Sequence, residues 1–293
     1  MNLANITRLH NIISAVGAMR RIIAFVEDYS HKRKVFGIQL SDQTLHIITL
    51  SNLKFLFEGN LILMLELGKL QSKYESNSEN NTENNSESNK NSFNNDLLRL
   101  IVPLAKLFTA KNAIEIGSEG MECFGGVGYM ENSGIPVILR DLYVLSIWEG
   151  TTNVLSLDFI RVIQHSSGIM TRFFDLVKKR FKKSEEAISS YHITFLNDII
   201  TKLSIPQYFS QVQNSRALSF IVISLYVLSL LLKYQKKMKG EGKGYNKNLI
   251  NYWILKTDGY VKQLSFVNDL DVGELKKYCF DSNNFSSKYK AKF

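Results

Sequence analysis

Three prolines, Pro103, Pro136 and Pro206, are all that interrupt 293 residues. A chain so free of helix breakers has few places where a helix is forced to stop. The stretches between them are rich in Leu, Ile, Lys and Glu, which favours long helices over a many-turned sandwich or barrel. From Thr7 to Lys34 the apolar positions Leu9, Ile12, Ile13, Val16, Met19, Ile23 and Val26 follow the i, i+3, i+4, i+7 rule of one long amphipathic helix. That helix is expected to end at Phe36-Gly37, and a second to run antiparallel to it from about Ser41-Asp42 to Lys73. A third is expected from about Leu97 to Phe124, with Pro103 near its first turns and Gly125-Gly126 as its stop. After a Gly/Pro-containing connection, a further helix should begin around Thr151 to Asn153 and reach about Gln164. Beyond it, helices are expected over Ile169 to Ser190, around His192 to Leu203, over Ser215 to Lys239 and, past a Gly/Lys-rich break, from near Asn246. Residues 72–96 are almost purely Asn, Ser and Glu. They carry too little apolar surface to offset the entropy of ordering, so a disordered insertion is expected there.

With 45% hydrophobic and 22% charged residues, the composition is that of a folded globular chain. Its 36 basic and 27 acidic residues leave a net charge of +9, which favours anionic partners: nucleic acid, acidic lipid or a phosphorylated small molecule. Cys123 and Cys279 have no CxxC spacing, and the five histidines form no i, i+4 pair. No metal site and no disulfide framework are therefore expected, and a reducing intracellular compartment is. The N-terminus carries no readable targeting signal, which leaves mitochondrial and cytoplasmic locations open. The most apolar run, Ala217 to Leu232, is short for a membrane span and is expected to be a buried bundle helix.

Three local features could carry chemistry. Arg33-Lys34-Val35-Phe36-Gly37 pairs a basic group with an aromatic ring at a helix end, suited to a phosphate and a flat ring, or simply to a helix stop. In Cys123-Phe124-Gly125-Gly126-Val127-Gly128-Tyr129 the glycines let backbone approach a ligand or another helix. Ser146-Ile147-Trp148-Glu149-Gly150-Thr151-Thr152-Asn153 sets a carboxylate beside an aromatic just before a helix N-terminus. It could serve as a base beside a bound anion, or merely complement the helix dipole.

In this order, together with Arg140-Asp141, the three features resemble the C-terminal helical domain of the acyl-CoA dehydrogenase family, in register from about Ile6 to Ile163. Met121-Glu122, Val102-Pro103-Leu104-Ala105-Lys106 and the long helical C-terminal part are similar to its AidB branch. The resemblance implies an all-α fold: a four-helix bundle over residues 5–164, broken by the 72–96 insertion, and an AidB-like helical extension over 165–293. It implies a flavoprotein oxidoreductase acting on CH–CH groups, in which Glu149 removes the α-proton of an acyl-CoA while the β-hydrogen leaves as hydride to FAD. Arg8 then lies near the substrate, and Arg33, Phe36, Glu122 and Gly126 reach the FAD of a neighbouring subunit. Trp148, Thr151 and Asn153 meet the FAD on the other side. At Glu122 and Asn153 many members carry glutamine.

A homodimer or homotetramer is implied as well. The family's N-terminal helical domain and central β-domain do not precede the first helix here, which implies a partial or inactive chain, or one completed by a separate polypeptide. Two other readings are an AidB-like DNA-binding module and a non-catalytic helical oligomerisation protein. The first would use the basic clusters 178–183 and 233–239 and would be strongly salt-dependent.

Overall fold

The apolar stripe at the N-terminus folds as α1 (Leu3–Lys32), burying Ile12, Ala15, Val16, Met19, Ile22, Ile23 and Val26. The computed structural model describes residues 3–79, 85–166, 168–183, 190–205, 207–239, 246–268 and 270–280. α1 ends at Lys32, earlier than expected. Phe36 and Gly37 form the tip of a small antiparallel hairpin between β1 (Lys34–Val35) and β2 (Ile38–Gln39). Both tip residues have positive φ, 52° and 82°, as a two-residue turn between right-twisted strands requires.

After a 3₁₀ turn at Leu40–Asp42 come α2 (Thr44–Glu79) and α3 (Asn85–Cys123). The segment expected to be disordered is thus helical over 72–79 and 85–96, and residues 80–84 lie outside the described residues. Extending a helix that already exists avoids the cost of nucleation, and Ser, Asn and Glu each cost well under about 1 kcal/mol there. Gln71 also donates to Glu75 one turn on, at 2.7 Å. One consequence is that Pro103 lies deep inside α3 instead of in its first turns. Residues 100–110 around it are all buried, so packing on every side carries the helix through the missing backbone bond.

α4 (Gly126–Tyr129) and a 3₁₀ turn (Glu131–Ser133) occupy the expected Gly125–Pro136 connection and lead into α5 (Ile135–Leu145), a helix over a stretch to which no element was assigned; Pro136 sits in its first turn. α6 (Thr152–His165) starts as expected. α7 (Ile169–Lys182) is shorter than expected, and residues 184–189 lie outside the described set. The chain continues through α8 (Ser190–Leu203), α9 (Gln207–Ser210), a 3₁₀ turn (Val212–Asn214), α10 (Ser215–Lys239), α11 (Lys247–Asn268) and α12 (Val272–Phe280). The glycine-rich break at 240–245 also falls outside the described residues.

The architecture is an all-α bundle with a helical extension. α3 lies against α1, α2, α5 and α6, and α10 lies against α2, α3, α6, α7 and α11. One hydrophobic core runs unbroken from Ile12 to Leu264 and joins bundle to extension. Among the described residues, three helical stretches, Leu3–Lys32, Thr44–Ser76 and Val212–Tyr234, are long and apolar enough to cross a membrane by length and composition. The last is longer than the run marked in the sequence, with a mean hydropathy of 2.0, and 83% of its most apolar window is buried in the protein.

Two contacts fix α2 to the extension. Glu66, 5% exposed, accepts from Lys233 Nζ at 2.8 Å and Tyr234 Oη at 2.7 Å, with Arg180 at 3.5 Å. Seven residues earlier, Gly59 faces the indole of the fully buried Trp253, whose Nε1 donates to the Phe55 carbonyl at 3.0 Å. A Cβ at Gly59 would lie 2.0 Å from that ring. Gly59→Ala is therefore expected to destabilise the protein by at least about 1–3 kcal/mol, read as a lower urea midpoint that Trp253→Phe partly restores. An unchanged midpoint would mean that α11 does not press on α2 here.

Candidate active site

The segment between α5 and α6 is built to expose one carboxylate. The last turn of α5 closes with Ser146, Ile147 and Trp148 donating back to the carbonyls of Tyr143 and Val144, and the chain then reverses through two residues of positive φ, Glu149 at 58° and Gly150 at 104°. For a glutamate this conformation costs about 1–2 kcal/mol, so other contacts must hold it. Arg8 Nε on α1 donates to the Glu149 carbonyl at 3.3 Å, and Lys106 Nζ on α3 donates to the Gly150 carbonyl at 2.7 Å. Thr7 Oγ1 donates to Glu149 Oε2 at 2.7 Å, while the carboxylate stays on the surface. Arg8 is anchored in turn by Asp158 on α6 at 2.7 Å. Asn11 ties α1 to the end of α5 through the Leu145 carbonyl at 3.1 Å.

Of these residues, Glu149 and Arg8 were expected at the site from the family resemblance, and the fold brings the two together. Thr7, Lys106 and Asp158 were not assigned to the site. Lys106 carried a usable signal: it is the one cation in the run Leu100–Ala110, and a cation in an apolar helix needs a partner. Burial, reinforced by the Arg8 charge and opposed by Glu149, pulls the Lys106 ammonium down to about 8. Because the unfolded chain keeps its proton up to the ordinary value of 10.5, this site's contribution to stability rises between those two pH values.

Trp148, Thr151 and Asn153 lie on the same stretch of chain. Trp148 is 55% exposed, the Thr151 carbonyl accepts the first backbone bond of α6, and Asn153 Oδ1 accepts from Arg216 at 2.8 Å. The remaining candidates cluster elsewhere. Arg33, Glu122 and Gly126 line an open cavity of about 820 Å³ between the end of α1, the start of α2 and the α3–α4 turn, with Tyr29, His46 and Cys123. Phe36, at the hairpin tip beside it, is 93% exposed. Burial, with Glu119 and Glu122 adding to it, pushes the Cys123 thiol up to about 11, which leaves it unreactive at neutral pH. From Arg8 to Lys32 the rise along α1 is about 36 Å, so the two groups of residues sit at opposite ends of one helix. No cluster of three metal-ligating side chains occurs among the described residues.

In the basic cluster 178–183, Lys178, Lys179, Lys182 and Lys183 are exposed. Arg180 turns inward instead, bonding Ser229 at 3.0 Å and covering the Tyr226 ring. Lys233 is likewise committed to Glu66.

Residues 1–164 match the family model of the acyl-CoA dehydrogenase C-terminal domain. Acyl-CoA dehydrogenase family member 11 of Caenorhabditis elegans is 41% identical over 199 residues, 64% of this chain and 30% of that protein. AidB of Escherichia coli is 29% identical over 181 residues, 62% of this chain and 30% of that one. Among solved structures, Caenorhabditis elegans ACDH-11 in complex with C11-CoA superposes with a TM-score of 0.71 at 32% identity, covering 95% of this chain and 47% of that chain. The chain spans about 30% of the length of these two curated relatives.

Proposed function

This chain belongs to the acyl-CoA dehydrogenase family, matching its C-terminal domain over residues 1–164, and from that premise we propose that it serves an FAD-dependent oxidoreductase acting on acyl-CoA substrates. The observation that carries the reading is the exposed Glu149 carboxylate, set on a left-handed turn whose two carbonyls are held by Arg8 and Lys106. A base must face its substrate in one orientation, and a strained turn with dedicated cationic anchors gives that orientation at a cost that ordinary connections avoid.

In this reading Glu149 takes the proton from the carbon α to the thioester. Thr7 donates to the carboxylate and fixes which oxygen faces the substrate. Arg8, bonded to Asp158, adds positive charge beside the site. Bound FAD supplies the acceptor for the β-hydride. The cavity that holds Arg33 and Gly126 fits part of such a cofactor: the guanidinium suits a phosphate, and a Cβ added at Gly126 would meet nothing within 4 Å, so backbone can be approached there. The Phe36 ring is free to cover a flat group, and Glu122 lines the same cavity. Trp148, Thr151 and Asn153 would contact a second flavin, beside Glu149. With the two sets of contacts about 36 Å apart along α1, one chain meets two cofactors, which favours a homodimer or homotetramer. The inward commitment of Arg180 and Lys233 weakens the nucleic-acid alternative.

The test is the visible spectrum of the chain after incubation with FAD and desalting, alone and with any polypeptide that co-purifies, followed by a panel of acyl-CoA thioesters. Retained flavin that bleaches with a thioester, and fails to bleach in Glu149→Gln, is the expected result. Flavin that bleaches equally in both proteins would sink the assignment of Glu149.

A further inference from the structure

Resting on that reading, we infer that Lys106 is a positioning residue for Glu149, holding the left-handed turn by its bond to the Gly150 carbonyl and coupling that turn to pH through its own charge. Lys106 is 1% exposed and comes from α3, while the residues it serves stand on the α5–α6 connection, so it joins the centre of the bundle to the one strained stretch at the site. Its ammonium is placed for this task and for no ion pair: its hydrogen bond goes to a carbonyl, and the charges around it are Arg8 from α1 and Glu149 itself. Asp158 from α6 is taken up by Arg8, and Thr7 from α1 is neutral.

The turn therefore depends on two consecutive carbonyls held by two cations, Arg8 on Glu149 and Lys106 on Gly150. Lys106 can lose its proton, since burial has brought it to about 8. Below that value the bond to Gly150 is charge-assisted and strong; above it a neutral amine makes a weaker one. The Glu149 carboxylate then loses a nearby positive charge, and the turn loses its tighter anchor.

Trp148 reports on this turn without any catalysis. It is next to Glu149 and half-exposed, whereas Trp253, the other tryptophan, is fully buried in the core. The experiment follows Trp148 fluorescence of the full chain from pH 6 to 10 in wild type, Lys106→Met and Lys106→Gln, with thermal unfolding to show that each variant is folded. A transition near pH 8 in wild type that is absent from both variants is expected. In the flavin-loaded enzyme, both variants are expected to lose about 100-fold in kcat at neutral pH with KM within a few-fold, the cost of misplacing a base by about 1 Å. Variants that titrate and turn over like wild type would overturn the inference. If wild type reduces no flavin with any thioester while its Trp148 transition still depends on Lys106, the enzymatic reading fails and the positioning role stands.

Discussion

Replacing Glu66 by Ala is expected to destabilise the protein by about 3 kcal/mol, at the lower end of the cost of orphaning buried charge. Glu66 on α2 is where Arg180 of α7 and Lys233 and Tyr234 of α10 converge. Without its carboxylate the Arg180 guanidinium loses its ion pair at 3.5 Å, while Lys233, about a third exposed, can turn to water. That partial escape is why the lower figure applies. Urea denaturation measures the loss, and Arg180→Met in the same chain should cost less in the Glu66→Ala background than alone. Equal costs in both backgrounds would show that the pair is not coupled.

Acid adds a second signature. Burial pushes the Glu66 carboxyl up, but the hydrogen bonds from Lys233 and Tyr234 and the charges of Lys233 and Arg180 outweigh it and hold the group below its ordinary 4.5. A carboxyl depressed in the folded state adds stability above the unfolded value and surrenders it as pH falls through the folded one. Wild type should therefore lose stability more steeply below pH 4.5 than Glu66→Ala does.

On the proposed reading, Glu149→Gln is expected to lower turnover of the flavin-loaded protein by about 10²- to 10⁴-fold, the range for removing a general base. The amide keeps the size of the side chain, can still accept from Thr7, and leaves the carbonyl bonds to Arg8 and Lys106 intact. KM and the denaturation midpoint should therefore hardly move. Rapid-mixing flavin reduction separates these quantities. A variant that keeps wild-type reduction rates would transfer the base role to another group, and a variant that unfolds would make Glu149 a structural residue.

The sequence was most readable where structure is local. The stripe of α1, the start of α6 and the buried character of α10 follow from periodicity and composition over a few turns. It was least readable where a neighbour decides the outcome. The Asn-rich stretch looks unable to order itself, yet α2 and α3 extend into it from both sides because propagation is cheap once a helix exists. Pro103 sits mid-helix because burial on every side holds it there. The same division runs through the site. Glu149 is marked by its surrounding motif, whereas Thr7 and Lys106 reach the turn from 142 and 44 residues away along the chain, and Asp158 is tied in only through Arg8, 150 residues before it, pairings that no local window contains.

The burial of α10 sets an order of events during synthesis. Its central segment is as apolar as a membrane anchor, and its partners lie both before it, on α2, α3, α6 and α7, and after it, on α11. As the chain leaves the ribosome, this greasy segment emerges while the helix that closes over it is still unmade. Until α11 arrives, the nascent protein carries a sticky, lipid-like strip, and its safe production depends on how quickly the earlier helices form a groove to receive it.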